Sequence, residues 1–224
     1  GSVVYFVPSE LGSGALWEID FELRGDGADG GDAGLASVDH VATGLPVEEL
    51  DTWVLFYRAV LGMVPGESLE LSDPFGLIRS SGVASANRSV RAVLNVSQSQ
   101  STGTAKTISL SGGASVHHVA FACPDIFETM GKLVASGAKF VGVSENYYDD
   151  LVARFALPEA QVARMRQFGV LYERTGAGEY FHAYTEAFAD RFFFEVVQRV
   201  GGYDGYGALN APARMASQLQ RPAP

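Results

Sequence analysis

The chain has 224 residues, 47% of them apolar, and carries a formal net charge of −10 at neutral pH. Such a length buries a core of its own, as one large domain or two small ones. The acidic balance, with no cluster of Lys or Arg, excludes a nucleic-acid partner, and no apolar run reaches the roughly 20 residues that cross a bilayer, which excludes a membrane one.

In chain order, the apolar run of residues 3–7 and the alternating residues 15–23 flank a Gly/Ser turn and predict a two-stranded hairpin. Residues 24–34, rich in Gly and Asp, read as a flexible acidic linker. A lone hairpin is marginal in water, so residues 1–36 are expected to be the tail of a preceding module in a longer polypeptide.

A first β-α-β-β-β series fills residues 37–113. Its strands are predicted over 37–42, 67–71, 76–81 and 89–96, and its helix over 47–61, where Leu50, Trp53, Val54, Tyr57 and Val60 recur at helical spacing before Gly62. A second series fills residues 114–224. It opens with a strand at Val116 and a helix from Asp125 through Ile126, Phe127, Met130, Leu133 and Val134 to Gly137, followed by a strand over 139–143. An insertion begins at Asn146, and its helix over 158–168 reads as a surface helix or lid. Strands over 169–174, 179–185 and 191–199 and a closing helix over 212–219 complete the series. Cys123 is the single cysteine; it excludes an intrachain disulfide, fits a reducing cytoplasm and, just before Pro124, reads as a buried thiol.

The two series share a motif: Val38-Asp39-His40-Val41-Ala42 and Val116-His117-His118-Val119-Ala120. Side chains alternate along a strand, so His40 and His118 hold equivalent positions, while His117 points to the opposite face of a regular strand. Glu195, within Arg191-Phe192-Phe193-Phe194-Glu195-Val196-Val197, is a carboxylate on an apolar strand face. It is expensive to bury there unless neutralised, paired or bound to a cation. Two imidazoles and one carboxylate make a ligand set for one divalent metal. Such a set with open positions suits Fe(II), which is favoured, while Mg, Mn, Co or Zn are also compatible, and the lone cysteine argues against structural zinc.

These residues, with Phe56-Tyr57-Arg58, Asn146-Tyr147-Tyr148, Gly169-Val170-Leu171-Tyr172, Glu179-Tyr180-Phe181-His182-Ala183-Tyr184-Thr185 and Gly205-Tyr206-Gly207, resemble the vicinal oxygen chelate superfamily, and within it 4-hydroxyphenylpyruvate dioxygenase. The resemblance covers residues 37–211. It implies an α+β fold of two βαβββ modules whose curved mixed sheets surround a metal site. It also implies that His40, His118 and Glu195 are iron ligands and that Ser80, Asn95, Phe193 and Tyr206 line the substrate pocket. The chain departs from the family's pattern where glutamines are replaced at Gly103, His117 and His182 and a phenylalanine at Ala211. Its run from Phe181 onward is more similar to the dioxygenase-like half of bacterial fusion proteins whose other half is a barrel with 3-dehydroshikimate dehydratase activity, an enzyme of quinate and shikimate catabolism to protocatechuate.

The resemblance implies a dioxygenase-like enzyme whose metal is chelated by a small carboxylic or 2-oxo acid, with His182 as the candidate catalytic group near neutral pH. Two alternatives stand beside it: a non-catalytic metal-binding scaffold of the larger dehydratase, and a glyoxalase-like lyase. A homo-oligomer is compatible with each.

Overall fold

The computed structural model describes residues 3–8, 10, 13–22, 31–176 and 178–219, which divide into two compact units, Gly1–Asp32 and Ala33–Pro224. In the first unit, α1 (Ser13–Asp20) is a helix and residues 3–8 form no regular element, which corrects the expected hairpin. Alternation makes a strand only when a second strand takes up its backbone N–H and C=O groups, and among the described residues none does. A helix closes those bonds internally and brings Trp17 beside Phe21 one turn away, ring centroids 5.8 Å apart and tilted by 55°. Residues 9, 11 and 12 of the expected turn and 23–30 of the linker lie outside the described residues.

The second unit repeats one motif. Its first copy comprises β1 (Ser37–Leu45), α2 (Leu50–Ala59), β2 (Val64–Asp73), β3 (Gly76–Ala84) and β4 (Arg91–Ser97). After α3 (Gly103–Ser111), the second comprises β5 (Ser115–Ala122), α4 (Ile126–Ala135), α5 (Glu145–Phe155), α6 (Glu159–Phe168), β6 (Leu171–Thr175), β7 (Gly178–Tyr184) and β8 (Phe193–Val200), and α7 (Ala211–Leu219) closes the chain. The strands join in one curled sheet of order β2-β3-β4-β1-β5-β8-β7-β6. Within each copy the first strand runs parallel to the last, β1 with β4 and β5 with β8, and antiparallel pairing of β1 with β5 joins the copies.

The two faces of the sheet separate by the period of two. On the helix side Leu45, Leu94 and Val96 meet Leu50, Trp53, Val54 and Tyr57 of the first copy, and Phe181, Ala183 and Val196 meet Ile126, Met130, Tyr148, Leu151, Val162 and Met165 of the second. The alternate residues, Val93, Asn95, His182, Tyr184, Phe193 and Glu195, face the other side.

Three expectations change here. The strand over 139–143 is an isolated bridge between Phe140 and Thr185. The polar connection after β4 contains α3, begun where Thr102 Oγ1 accepts from the Ala105 N–H and ended by Gly112 in the left-handed conformation. The insertion is no lid: Tyr148, Leu151, Val162 and Met165 are buried in the core with α4, while Glu159, Ala160, Ala163 and Arg164 keep the outer face of α6 at the surface. Leu151→Ala is therefore expected to destabilise the fold by about 2–5 kcal/mol in urea unfolding; a change below about 0.5 kcal/mol, as at ordinary surface positions, would contradict the packing of α5 into the core.

Candidate metal centre

The pairing of β1 with β5 slips twice, and both slips fall beside a histidine. Val38 faces Phe121 and His40 faces Ala120, which leaves Asp39 over; Ala42 faces His118 and Thr43 faces Val116, which leaves His117 over. Each leftover residue is a bulge, and a bulge re-aims the side chain it carries. Asp39 and His117 thereby reach the histidine that follows them: His40 Nδ1 lies 2.8 Å from Asp39 Oδ1, and His118 Nδ1 lies 2.8 Å from His117 Nδ1. The expectation that His117 faces away from the site is corrected by this bulge.

Register then brings in the carboxylate. Ala120, opposite His40, is also opposite Glu195 on β8. Glu195 Oε2 sits 3.2 Å from His40 Nε2 and 3.4 Å from His118 Nε2, and one ligand atom from each of the three side chains lies within 4.8 Å of the others. All three residues are buried. The other oxygen, Oε1, accepts from His182 Nδ1 at 2.8 Å and from the Tyr180 hydroxyl at 3.3 Å.

Outer partners hold this arrangement. Arg199 grips Asp39 with two bonds, Nε to Oδ2 at 2.7 Å and Nη2 to Oδ1 at 2.9 Å, and its Nη1 donates to the carbonyls of Gly205 and Tyr203. Those carbonyls belong to a strap that lays Tyr206 beside His40, ring centroids 5.3 Å apart. Gly207 in the strap has φ +65°, and a Cβ there would come within 2.5 Å of the His182 ring. Behind Glu195, the Asn210 amide reaches His182 Nε2 at 2.9 Å and accepts from the Tyr147 hydroxyl at 2.9 Å. The inserted helix α5 thus ends in the same network.

Burial and charge set the protonation states. Burial alone would depress His40, but its hydrogen bonds to Asp39 and Glu195 outweigh that and hold its pKa up at about 8. Burial takes His118 down to about 4, with Glu195 opposing the shift, and drives His117 well below the ordinary range. Glu195 and Asp39 are pushed up by burial but end well below the usual carboxylate range, Glu195 through its three histidine partners and Asp39 chiefly through Arg199. His40 and His118 share Glu195 yet shift in opposite directions because only His40 has Asp39.

Beside His40, His118 and Glu195 lies a cavity of about 360 Å³. Ser80, Asn95 and Tyr206 line it, as does His117, and so does Ala211. Phe193 instead stacks on His118, ring centroids 4.8 Å apart and 22° from parallel. His182 is fully buried behind Glu195 rather than on the cavity wall. Gly103 begins α3, and its neighbour Thr104 reaches the wall.

Sequence reasoning passed over Asp39, Arg199, Asn210 and Arg214. Asp39 could have been found from the repeat, since it precedes His40 as His117 precedes His118. Arg214 could not, because it reaches the cavity only through the placement of α7, with its guanidinium 5.1 Å from the Tyr184 ring and 5.6 Å from that of Phe193.

With the geometry in hand, comparison with known proteins gives the family. The model of the glyoxalase/bleomycin resistance protein/dioxygenase superfamily matches residues 37–160. The chain belongs to this superfamily. It is 41% identical over 221 residues to a 3-dehydroshikimate dehydratase of Pseudomonas aeruginosa, covering 98% of this chain and 34% of that protein. The chain therefore spans about a third of the length of that relative. A solved xylose isomerase-like TIM barrel/4-hydroxyphenylpyruvate dioxygenase fusion protein superposes with a TM-score of 0.70 at 37% identity over 84% of this chain and 30% of the other. A 4-hydroxymandelate synthase mutant from Streptomyces coelicolor shares the superfamily's fold at a TM-score of 0.75 and 24% identity, over 84% of this chain and 55% of that one. The α+β fold of two βαβββ copies agrees with these likenesses, and the chain is a dioxygenase-like domain of an enzyme family. Among the described residues no helix is long and apolar enough to cross a membrane.

The protonation states predict a pH dependence for the protein kept in chelator. His40 rises from 6.5 to about 8 on folding, so its stabilisation, on the order of 2 kcal/mol, is full below pH 6.5 and lost as pH climbs through 8. His117 and His118 are depressed from 6.5, so their contribution is full above 6.5 and falls as the medium is acidified, followed by those of Asp39 and Glu195. Urea midpoints are expected to peak near pH 6.5, with the alkaline fall missing in His40→Gln; an alkaline fall of equal size in that variant would contradict the assignment to His40.

Proposed function

We propose that this chain is a divalent-metal-binding, dioxygenase-like domain that takes a small carboxylic or 2-oxo acid, with His40, His118 and Glu195 holding the metal. The observation that carries the reading is the convergence of three buried ligand atoms within 4.8 Å of one another beside a cavity of about 360 Å³. The donor set fits the ion: two imidazoles, each with its far nitrogen hydrogen bonded, and one carboxylate, without thiolate. Fe(II) is the favoured ion, with Mn, Co, Mg or Zn able to use the same ligands. Bound there, a divalent metal supplies Lewis acidity, and iron also supplies oxygen chemistry.

The surrounding residues have separable tasks. Phe193 holds the His118 ring flat, and Ser80 and Asn95, directly opposite each other on β3 and β4, offer hydrogen bonds to the acid. Tyr206 covers His40, and Arg214 supplies positive charge on the wall for a carboxylate. His182 is assigned to holding Glu195 in place rather than to proton exchange with the acid, because its two nitrogens are engaged by Glu195 and Asn210. The relative named 3-dehydroshikimate dehydratase is about three times as long as the matched region. On this reading the dehydration of 3-dehydroshikimate, in quinate and shikimate catabolism, belongs to the unmatched part of such proteins, with this domain as its metal-binding companion.

Calorimetric titration of chelator-stripped protein with Mn²⁺ or Co²⁺ is expected to show one site. Glu195→Gln should weaken it by well over the ~10- to 100-fold that loss of an outer partner brings. Unchanged affinity in that variant would remove the ligand assignment. Protein loaded anaerobically with Fe(II) is expected to take up oxygen when given a 2-oxo acid; acid binding without uptake would favour the scaffold reading.

A further inference from the structure

His117 occupies the place that Asp39 occupies in the other copy, yet it differs from Asp39 in one chemical respect. An ionised carboxylate only accepts hydrogen bonds, whereas a neutral imidazole donates from one nitrogen and accepts at the other. His40 therefore always donates its Nδ1–H to Asp39 and keeps Nε2 toward the centre. The second copy has no such fixed direction: His118 Nδ1 meets His117 Nδ1 at 2.8 Å, and His117 Nε2 meets the Asn95 side-chain amide at 3.1 Å. All three residues are buried.

Two sets of hydrogen bonds serve the contacts of His117. In one, Asn95 Nδ2–H donates to His117 Nε2, His117 Nδ1–H donates to His118 Nδ1, and His118 Nε2–H donates to Glu195 Oε2. In the other the first two bonds are reversed and the third is given up: His118 Nδ1–H donates to His117 Nδ1, His117 Nε2–H donates to Asn95 Oδ1, and the lone pair of His118 Nε2 faces Glu195 Oε2, where a cation can sit between them. Only the second set lets His118 serve as a metal ligand through Nε2. Between the two sets the Asn95 amide turns over, because its oxygen must now face His117. The cavity wall then presents the Asn95 N–H₂ where it presented a carbonyl.

We propose that His117 is a reversible hydrogen-bond relay between His118 and Asn95, through which a metal on His118 turns Asn95 into a hydrogen-bond donor toward the cavity. The inference rests on the metal reading above and extends it. Asn95 in its donor setting matches the oxygens of a carboxylate or keto group, so the relay readies the cavity wall for an acid only when the metal is in place. Because such coupling is reciprocal, an acid that accepts from Asn95 tightens metal binding in turn.

The test reads tautomers directly. The full chain has four histidines, which keeps the imidazole region of long-range ¹H–¹⁵N correlation spectra simple, and His→Gln variants at each position assign it. In chelator at constant pH, His118 is expected to carry its proton on Nε2 and His117 on Nδ1. With one equivalent of Zn²⁺, His118 is expected on Nδ1 and His117 on Nε2, the two changing together. In Asn95→Asp the side chain has no N–H to give, so His117 is expected on Nε2 with or without Zn²⁺. His117→Phe should weaken Zn²⁺ binding by about 10- to 100-fold, with recovery in His117→Gln, which retains an acceptor and a donor. Zn²⁺ shifts at His40 and His118 with the His117 proton unmoved would overturn the relay and leave the metal site standing. Absence of any Zn²⁺ shift at His40 and His118 would overturn both.

Discussion

A carboxylate buried in the middle of a sheet is the constraint on which the rest of this structure depends. Glu195 is 1% exposed, and the penalty for desolvating one carboxylate amounts to several kcal/mol unless other groups offset it. Both of its oxygens are met: Oε2 by His40 and His118, Oε1 by His182 and Tyr180. Each of those groups is placed by a further layer, Asp39 and Arg199 behind His40, His117 and Asn95 behind His118, Asn210 and Tyr147 behind His182. Arg199 also binds the strap carbonyls and Asn210 precedes α7, so the path of the chain after β8 is tied to the same carboxylate.

The duplication explains how so many partners converge. Antiparallel pairing of β1 with β5 sets His40 opposite Ala120 and His118 opposite Ala42, two positions apart on one face. A bulge at the same place in each copy then turns the preceding residue onto the histidine's Nδ1. The copies diverge in the chemistry of that residue. Asp39, held by Arg199, gives His40 a fixed polarity and raises its proton affinity, whereas His117 is neutral and leaves His118 with depressed proton affinity. A symmetric scaffold therefore carries two unlike histidines.

Much of this was legible in the residues, and the rest failed for identifiable reasons. Most strands and helices of residues 37–219 followed from alternation and helical spacing, α3 and α5 excepted, because most elements have one buried face that the pattern records. The clustering of His40, His118 and Glu195 was readable because the repeat aligned His40 with His118 and because a glutamate among Phe and Val demands a partner. His117 was misplaced because alternation presumes a regular strand, and nothing in Val116-His117-His118-Val119 marks where the bulge falls. The hairpin before residue 24 was misread because the alternation of Trp17, Ile19 and Phe21 cannot state whether a partner strand exists. His182 and Phe193 fall near the centre as expected, yet they contact Glu195 and His118 instead of lining the cavity; which residues form the wall depends on how the strap and α7 fold back, and no local pattern states that.

The central claim is that His40, His118 and Glu195 together hold one divalent cation. Crystals grown with Mn²⁺ or Co²⁺ and measured at the metal's absorption edge test it most directly. A single anomalous peak bonded to His40 Nε2, His118 Nε2 and Glu195 Oε2 is the predicted result. A peak at any other set of side chains, or none at saturating metal, would contradict it.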